Sequence, residues 1–137
     1  MAIVALATVM DLSGIIATLA QSIVDLTGGS YVFLAPVIGA LGTFVTGSDT
    51  NSNILFGKLQ TIAASKLNID PNWLAAANTS GATGGKMISP QSIAIAVSAT
   101  KMEGQANQIM SGTMKYCCAY IVILGLKVGL FYYWFMA

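Results

Sequence analysis

Residues 114–137 form an apolar run that is long enough to cross a lipid bilayer as one helix. A helix needs roughly 20 residues, at about 1.5 Å each, to cross about 30 Å of hydrocarbon. Within this run, Gly125 and Gly129 have the spacing that lets membrane helices pack closely. Residues 132–134 are all aromatic, which is typical of the boundary between membrane and water. The run therefore predicts a membrane span over residues 114–136.

The composition extends this conclusion to the whole chain. Of its 137 residues, 55% are hydrophobic and 8% are charged, whereas a soluble domain carries about 25% charged residues. The net charge of +1 offers no basic surface for nucleic acid, and the absence of histidine removes the commonest metal ligand and general base. Cys117 and Cys118 are adjacent, which suits neither a mutual disulfide nor a zinc site, so we expect packing or lipid-facing roles. We predict an all-α integral membrane protein with no cofactor and no nucleic-acid partner.

Two further apolar regions predict a polytopic arrangement. Residues 2–24 predict a span, with Asp11 facing protein or water because a carboxylate in lipid costs roughly 2.5–3.5 kcal/mol. Residues 31–67 contain two apolar segments, each too short for a full crossing, on either side of a polar tip at residues 46–53. This pattern predicts a re-entrant hairpin whose tip is buried in protein or faces a water-filled cavity. An ordinary solvent loop between two short spans is the alternative.

The pattern of residues 72–102 predicts a broken helix. The stretch "ANTSGATGGKMISPQS" at residues 77–92 brings in glycines, which permit non-helical backbone and close approach, and Pro90, which suits a helix start. A broken helix exposes backbone N–H and C=O groups that can bind anions and cations at membrane depth, as in many secondary transporters. We therefore predict that the chain is part of a larger secondary-transporter fold.

The two polar segments supply the candidate residues for a substrate or ion site. The hairpin tip contributes Ser48, Asp49, Thr50, Asn51 and Asn53. The broken helix contributes Asn78, Thr79, Ser80, Gly81, Gly84, Gly85, Lys86, Ser89 and Gln91. The hydroxyl and amide groups suit cation and carboxylate binding, and Gly84 and Gly85 would act through backbone geometry.

Two charged residues of this set have predicted roles. For Lys86 we expect pairing with a substrate carboxylate, because a lone lysine at membrane depth is costly unless it is paired. Snorkelling to the interface, or a structural pair with Asp49, is the alternative. For Asp49 we expect a role as proton carrier or cation ligand, since a desolvated carboxylate can gain and lose a proton in the physiological range. The alternative is an N-cap for the helix that begins near Asn51. We expect other charges to orient or pack helices: Asp11, Lys58, Lys66 and Lys127.

Residues 80–89 allow two enzyme-like interpretations. A phosphate-binding loop would need glycine where Ser80 stands and a hydroxyl where Met87 stands. A pair of Ser89 and Lys86 could act as nucleophile and base, but the sequence offers it no further catalytic context. We therefore expect no enzyme activity, and a non-transporting membrane scaffold or remnant is the alternative to a transporter.

Two longer motifs carry a family resemblance. "GALGTFVTGSDTNSNILFGKLQ" at residues 39–60 and "AANTSGATGGKMISPQSIAIA" at residues 76–96 closely resemble the bacterial L-lactate permease family of secondary transporters. The resemblance covers residues from about Asp11 to Lys115. Members of the family are much longer, so the chain resembles their C-terminal portion only.

The resemblance implies a function and a set of partners. It implies uptake of lactate, or of glycolate in some members, across the bacterial inner membrane by a multi-pass protein. The coupling ion would be a proton, with sodium as the alternative. The partners would be the small carboxylate, the lipid bilayer and the missing N-terminal half of the transporter. By analogy with ion transporters that bind carboxylates between two inverted halves, the ligands would be Ser48, Asn51, Asn53, Asn78, Thr79 and Ser80.

Overall fold

The computed structural model describes residues 2–102 and 104–135, and within these ranges the regular structure is entirely helical. The prediction of an all-α chain is therefore confirmed. The α-helices in chain order are α1 Ala2–Leu12, α2 Ile15–Thr27, α3 Tyr31–Thr46, α4 Asp49–Leu67, α5 Pro71–Lys86, α6 Pro90–Thr100 and α7 Ala106–Phe135. A short 3-10 turn, Gly28–Ser30, joins α2 to α3.

Two helical stretches of the described residues are long and apolar enough to cross a membrane, Ile15–Thr46 and Ala106–Phe135. The first is not one straight helix, because Gly28 has φ 52° and ψ −135° and so separates α2 from α3. The second is α7, whose 30 residues extend about 45 Å at the usual rise per residue. Helix α7 includes the described part of the span predicted over residues 114–136 and begins earlier, at Ala106.

The first predicted span, residues 2–24, is two helices rather than one. The break lies at residues 13–14, where Gly14 adopts a left-handed conformation with φ 76° that only glycine reaches at low cost. Asp11 lies just before this break and forms an ion pair with Lys58 of α4. The carboxylate thus contacts protein, as expected for a residue that packs helices.

Helices α3 and α4 form a helix–turn–helix over residues 31–67, and its turn is shorter than the tip predicted from the sequence. Helix α3 ends at Thr46 and is capped by Gly47, which has φ 71°, and α4 begins immediately after its N-cap, Ser48. Most of the polar segment predicted as the tip, residues 46–53, therefore forms the first turn of α4. The hydroxyl of Ser48 accepts a hydrogen bond from the backbone N–H of Asn51, and this cap lets a polar sequence start a helix.

The prediction that the glycine-rich stretch has non-helical backbone is wrong, because this stretch lies within α5. The helix continues without interruption to Lys86, and the break comes only at residues 87–89, before α6. The reason is packing: a Cβ atom at Gly81 would overlap the backbone carbonyl of Pro36, and one at Gly85 would overlap that of Ala40. These glycines let α3 and α5 approach closely, and this contact compensates for their low helix propensity.

The same contacts define how the helices are arranged. The positions on α3 and α5 that touch, Pro36 with Gly81 and Ala40 with Gly85, both advance by four residues, so the two helices run parallel. Helix α7 also packs on α3, where a Cβ atom at Gly129 would overlap the ring of Phe33. The prediction that glycines of α7 support close packing is confirmed there. Helix α3 lies at the centre, in contact with α4, α5 and α7.

Candidate functional site

The two polar segments predicted from the sequence lie next to each other at one end of the bundle. Because α3 and α5 run parallel, the turn that follows α3 and the turn that follows α5 lie at the same end. A Cβ atom at Gly47, in the first turn, would overlap the side chain of Gln91, in the first turn of α6. The N-termini of α4 and α6 are therefore neighbours.

Two serines of the predicted site act as helix caps at this end. Ser48 caps α4, and Ser89 accepts a hydrogen bond of 3.3 Å from the backbone N–H of Ser92 at the start of α6. Ser89 is fully buried, and its hydroxyl donates to the backbone carbonyl of Lys86 at 3.2 Å. Among the described residues, the Ser89 hydroxyl bonds to a carbonyl, an amide and another hydroxyl, and it forms no hydrogen bond with the Lys86 side chain as a Ser–Lys hydrolase pair would.

The two charged residues of the predicted site are separate. Asp49 is the first residue of α4, where the helix dipole favours a negative charge, while the N-cap is Ser48. The Oδ1 atom of Asp49 is buried and has no hydrogen-bond partner among the described residues. The side chain of Lys86 is exposed and forms no ion pair with Asp49 in the part of the chain that the structure describes.

Below this end, hydrogen-bonded side chains connect α3, α4 and α5. The Tyr31 hydroxyl donates to Gln60 Oε1 at 2.9 Å, and Gln60 Nε2 donates to Asn78 Oδ1 at 3.1 Å. Asn78 Nδ2 then donates to Asn53 Oδ1 at 2.8 Å, and the Thr79 hydroxyl lies 3.1 Å from the same oxygen. We call these five residues the amide chain. Three of them belong to the predicted site: Asn53, Asn78 and Thr79.

The sequence prediction missed Tyr31 and Gln60, the two residues at the inner end of the amide chain. Both are fully buried, as is Asn78. A buried amide or hydroxyl is costly without a partner, so the matching bonds fix the register of the three helices. The one signal in the sequence was a glutamine, Gln60, within the apolar segment after the hairpin tip.

The remaining predicted residues of α5 face in other directions. Successive helical residues are about 100° apart, so Asn78 faces α3 and α4 while Ser80 faces α7. Ser80 lines a cavity of about 330 Å³ between α5 and α7, together with Lys127. Gly84 faces Tyr120 of α7. The residues that face α3 or α7 serve packing in this structure: Gly81, Gly84 and Gly85.

One face of α5 is both polar and exposed. Thr79, Thr83 and Lys86 follow one another at intervals of four and three residues, so they share a helix face, and all three are exposed. The half-buried Asn53 of α4 contacts this face through Thr79. A polar helix face at membrane depth must contact water or protein, because contact with lipid is costly.

The hydroxyl of Thr43, near the C-terminal end of α3, is buried without a partner among the described residues. A helical threonine usually donates to the carbonyl four residues earlier, here Gly39, but that oxygen accepts the Ser52 hydroxyl at 2.8 Å. Replacing Thr43 by valine is therefore expected to raise the free energy of unfolding by about 1 kcal/mol, since an unpaired buried hydroxyl is removed. Thermal unfolding of the purified protein measures this.

A matched control for this prediction is Thr46→Val on the same helix. The Thr46 hydroxyl donates to the Gly42 carbonyl at 2.8 Å, so its loss is expected to destabilise by about 1 kcal/mol. If Thr43→Val destabilises the protein as much as Thr46→Val does, the Thr43 hydroxyl is paired and the prediction is wrong.

Cys117 and Cys118 are both free, as their adjacency predicted. Cys117 is buried and donates to the Gly84 carbonyl at 3.2 Å, while Cys118 is exposed on α7. Cys117 thus serves helix packing, and an exposed thiol on an apolar helix matches the lipid-facing role expected for its neighbour.

Residues 1–135 match the sequence profile of L-lactate permease. The chain is 44% identical over 124 residues to glycolate permease GlcA of Escherichia coli (strain K12), covering 90% of this chain and 22% of that protein. It is 45% identical over 114 residues to L-lactate permease of Bacillus subtilis (strain 168), covering 83% and 20%. With L-lactate permease of Streptococcus iniae it shares 62% identity over 74 residues, covering 54% and 16%.

The chain thus spans about a fifth of the length of the curated relatives that it matches. No solved structure gives a significant match. The profile match covers nearly the whole chain and includes both polar segments. The chain belongs to the L-lactate permease family.

Proposed function

We propose that this chain is the C-terminal part of a secondary transporter that moves L-lactate, glycolate or a related 2-hydroxy monocarboxylate across the bacterial inner membrane. The names of the relatives, lactate and glycolate permease, support this substrate class. The observation that carries the proposal is the amide chain, which is buried at Tyr31 and reaches the surface at Asn53 and Thr79. A hydrogen-bonded polar path through an apolar bundle suits the binding of a small polar solute.

The exposed polar face of α5 supports the same proposal. Lys86 and Thr79 lie seven residues apart on this face, about 10 Å along the helix axis. An ammonium group together with hydroxyl and amide donors is the combination that binds a carboxylate, since charge-assisted hydrogen bonds are the stronger ones. We infer that the N-terminal part of the transporter covers this face, so that the substrate site lies between the two parts, near the middle of the membrane.

For coupling we propose a proton, carried by Asp49. Its buried Oδ1 atom has no hydrogen-bond partner among the described residues, so this oxygen is free to bind a proton. Sodium coupling is the second candidate. It is favoured by the two buried oxygens near the α3–α4 turn that lack partners within residues 2–102 and 104–135, Thr43 Oγ1 and Asp49 Oδ1.

Uptake of labelled L-lactate into proteoliposomes that contain the full-length protein tests this function. We expect uptake when a proton gradient is imposed and none when only a sodium gradient is imposed. Asp49→Asn is expected to abolish gradient-driven uptake but to retain exchange of lactate for lactate, which requires no net proton movement. Uptake driven by sodium alone would assign the coupling to the second candidate, and no uptake with either gradient would contradict the transport function.

A further inference from the structure

We propose that Asn53 presents its amide N–H group, and not its carbonyl oxygen, to the transported molecule. Asn53 would then hold the carboxylate of the substrate and would not be a ligand of the coupling cation. This inference rests on the proposed function, because it assumes that the solute is a small carboxylate. It deepens that function by giving one residue of the site a single chemical role.

The orientation of the amide chain is fixed at its inner end by a backbone carbonyl. The two ends of a side-chain amide have nearly the same shape, so the hydrogen-bond partners must decide which end is nitrogen. One end of the Gln60 amide lies 3.4 Å from the carbonyl oxygen of Ala35. That oxygen can only accept, so the atom facing it is Nε2. The remaining atom, Oε1, accepts from the Tyr31 hydroxyl.

This orientation is passed along the chain from one amide to the next. Because Gln60 Nε2 also faces Asn78, the Asn78 atom that it meets is the oxygen, at 3.1 Å. The nitrogen of Asn78 therefore faces Asn53 and donates to its oxygen at 2.8 Å. The Thr79 hydroxyl lies 3.1 Å from the same oxygen and 3.0 Å from the Ala75 carbonyl, so its single proton is shared between these two acceptors.

The free group at the outer end is consequently Asn53 Nδ2. It donates no hydrogen bond within residues 2–102 and 104–135. Asn78 is fully buried, whereas Asn53 is half-buried and Thr79 is exposed, so the chain opens to the surface at this end. An N–H donor suits the oxygen of a carboxylate, whereas hard cations take oxygen ligands. Asn53 is therefore suited to bind the substrate carboxylate and not the coupling cation.

The test is the variant Asn53→Asp in the purified full-length protein. The new carboxylate can still accept from Asn78 Nδ2, which keeps the hydrogen bond between α4 and α5, but the N–H donor is lost. We expect the Kd for L-lactate, measured by titration calorimetry at constant pH, to rise at least tenfold. Asn72→Asp, the same change at an exposed residue in the first turn of α5, is the control and should bind lactate as the wild type does.

A second measurement separates a lost donor from a damaged fold. A protonated carboxyl group can donate a hydrogen bond, so the affinity ratio between the wild type and Asn53→Asp should shrink as the pH falls toward about 4. A variant that binds lactate like the wild type would show that Asn53 does not hold the carboxylate and would overturn the inference. The wild type is titrated first. If it binds no lactate, the proposed function is overturned together with this inference, whereas failure of the inference alone requires a wild type that does bind lactate.

Discussion

Replacing Gly81 by alanine is expected to separate α3 from α5 and to lower the free energy of unfolding by about 1–3 kcal/mol. The added Cβ atom would overlap the backbone carbonyl of Pro36, and a backbone group in the middle of a helix cannot move aside as the end of a flexible side chain can. The helices must therefore shift, which also strains the hydrogen bonds of the neighbouring Asn78. Thermal unfolding of the purified full-length protein would measure the loss.

Gly57→Ala on α4 is the matched control, because a Cβ atom at Gly57 would meet no other atom within 4 Å. Alanine is favoured over glycine inside a helix by about 1 kcal/mol, so this variant is expected to be slightly more stable than the wild type. If the free energy of unfolding falls in Gly81→Ala and rises in Gly57→Ala, the contact between α3 and α5 is the cause of the loss. If Gly81→Ala unfolds at the same temperature as Gly57→Ala, α3 and α5 are not in close contact through Gly81.

The glycine-rich stretch of α5 shows which part of the fold could be predicted and which could not. Caps and starts are local, so Pro90 indicates the start of α6 correctly. The polar residues 46–53 indicate that a helix begins nearby, although α4 begins earlier than predicted, at Asp49 after the N-cap Ser48. Whether the three glycines of α5 break the helix does not depend on local sequence. It depends on whether another backbone is close enough to gain from the missing side chains, and here α3 supplies that contact.

The residues of the candidate site could likewise be predicted only in part. Asn53, Asn78 and Thr79 could be identified because amides and hydroxyls are unusual in an apolar chain. Their partners Tyr31 and Gln60 could not, since these bonds join residues on three helices whose register no local pattern specifies. The stretch from Asn78 to Ser80 reads as one cluster in the sequence, yet a helix turns its neighbours onto different faces. Only the middle residue, Thr79, lies on the exposed polar face.

Replacing Lys86 by glutamine is expected to reduce lactate uptake at low substrate concentration by about 10-fold to 150-fold. A hydrogen bond to a charged group contributes about 1.5–3 kcal/mol, and each 1.4 kcal/mol is about tenfold in affinity. Lys86 is exposed on the polar face of α5 and forms no ion pair with Asp49 in the described residues, so its charge is available to a substrate. The loss should appear in the apparent KM for lactate, measured in proteoliposomes at fixed driving gradient.

Lys115→Gln provides the control for charge alone, because Lys115 is also exposed but lies on α7, away from the polar face of α5. It should leave the KM unchanged while removing the same unit of positive charge. A lysine that only reached toward the membrane surface would behave the same way at either position, since its role would not depend on the substrate. If both variants take up lactate with the KM of the wild type, Lys86 lies outside the binding site, and the anion must be held by the amide chain and its neighbouring hydroxyl groups alone.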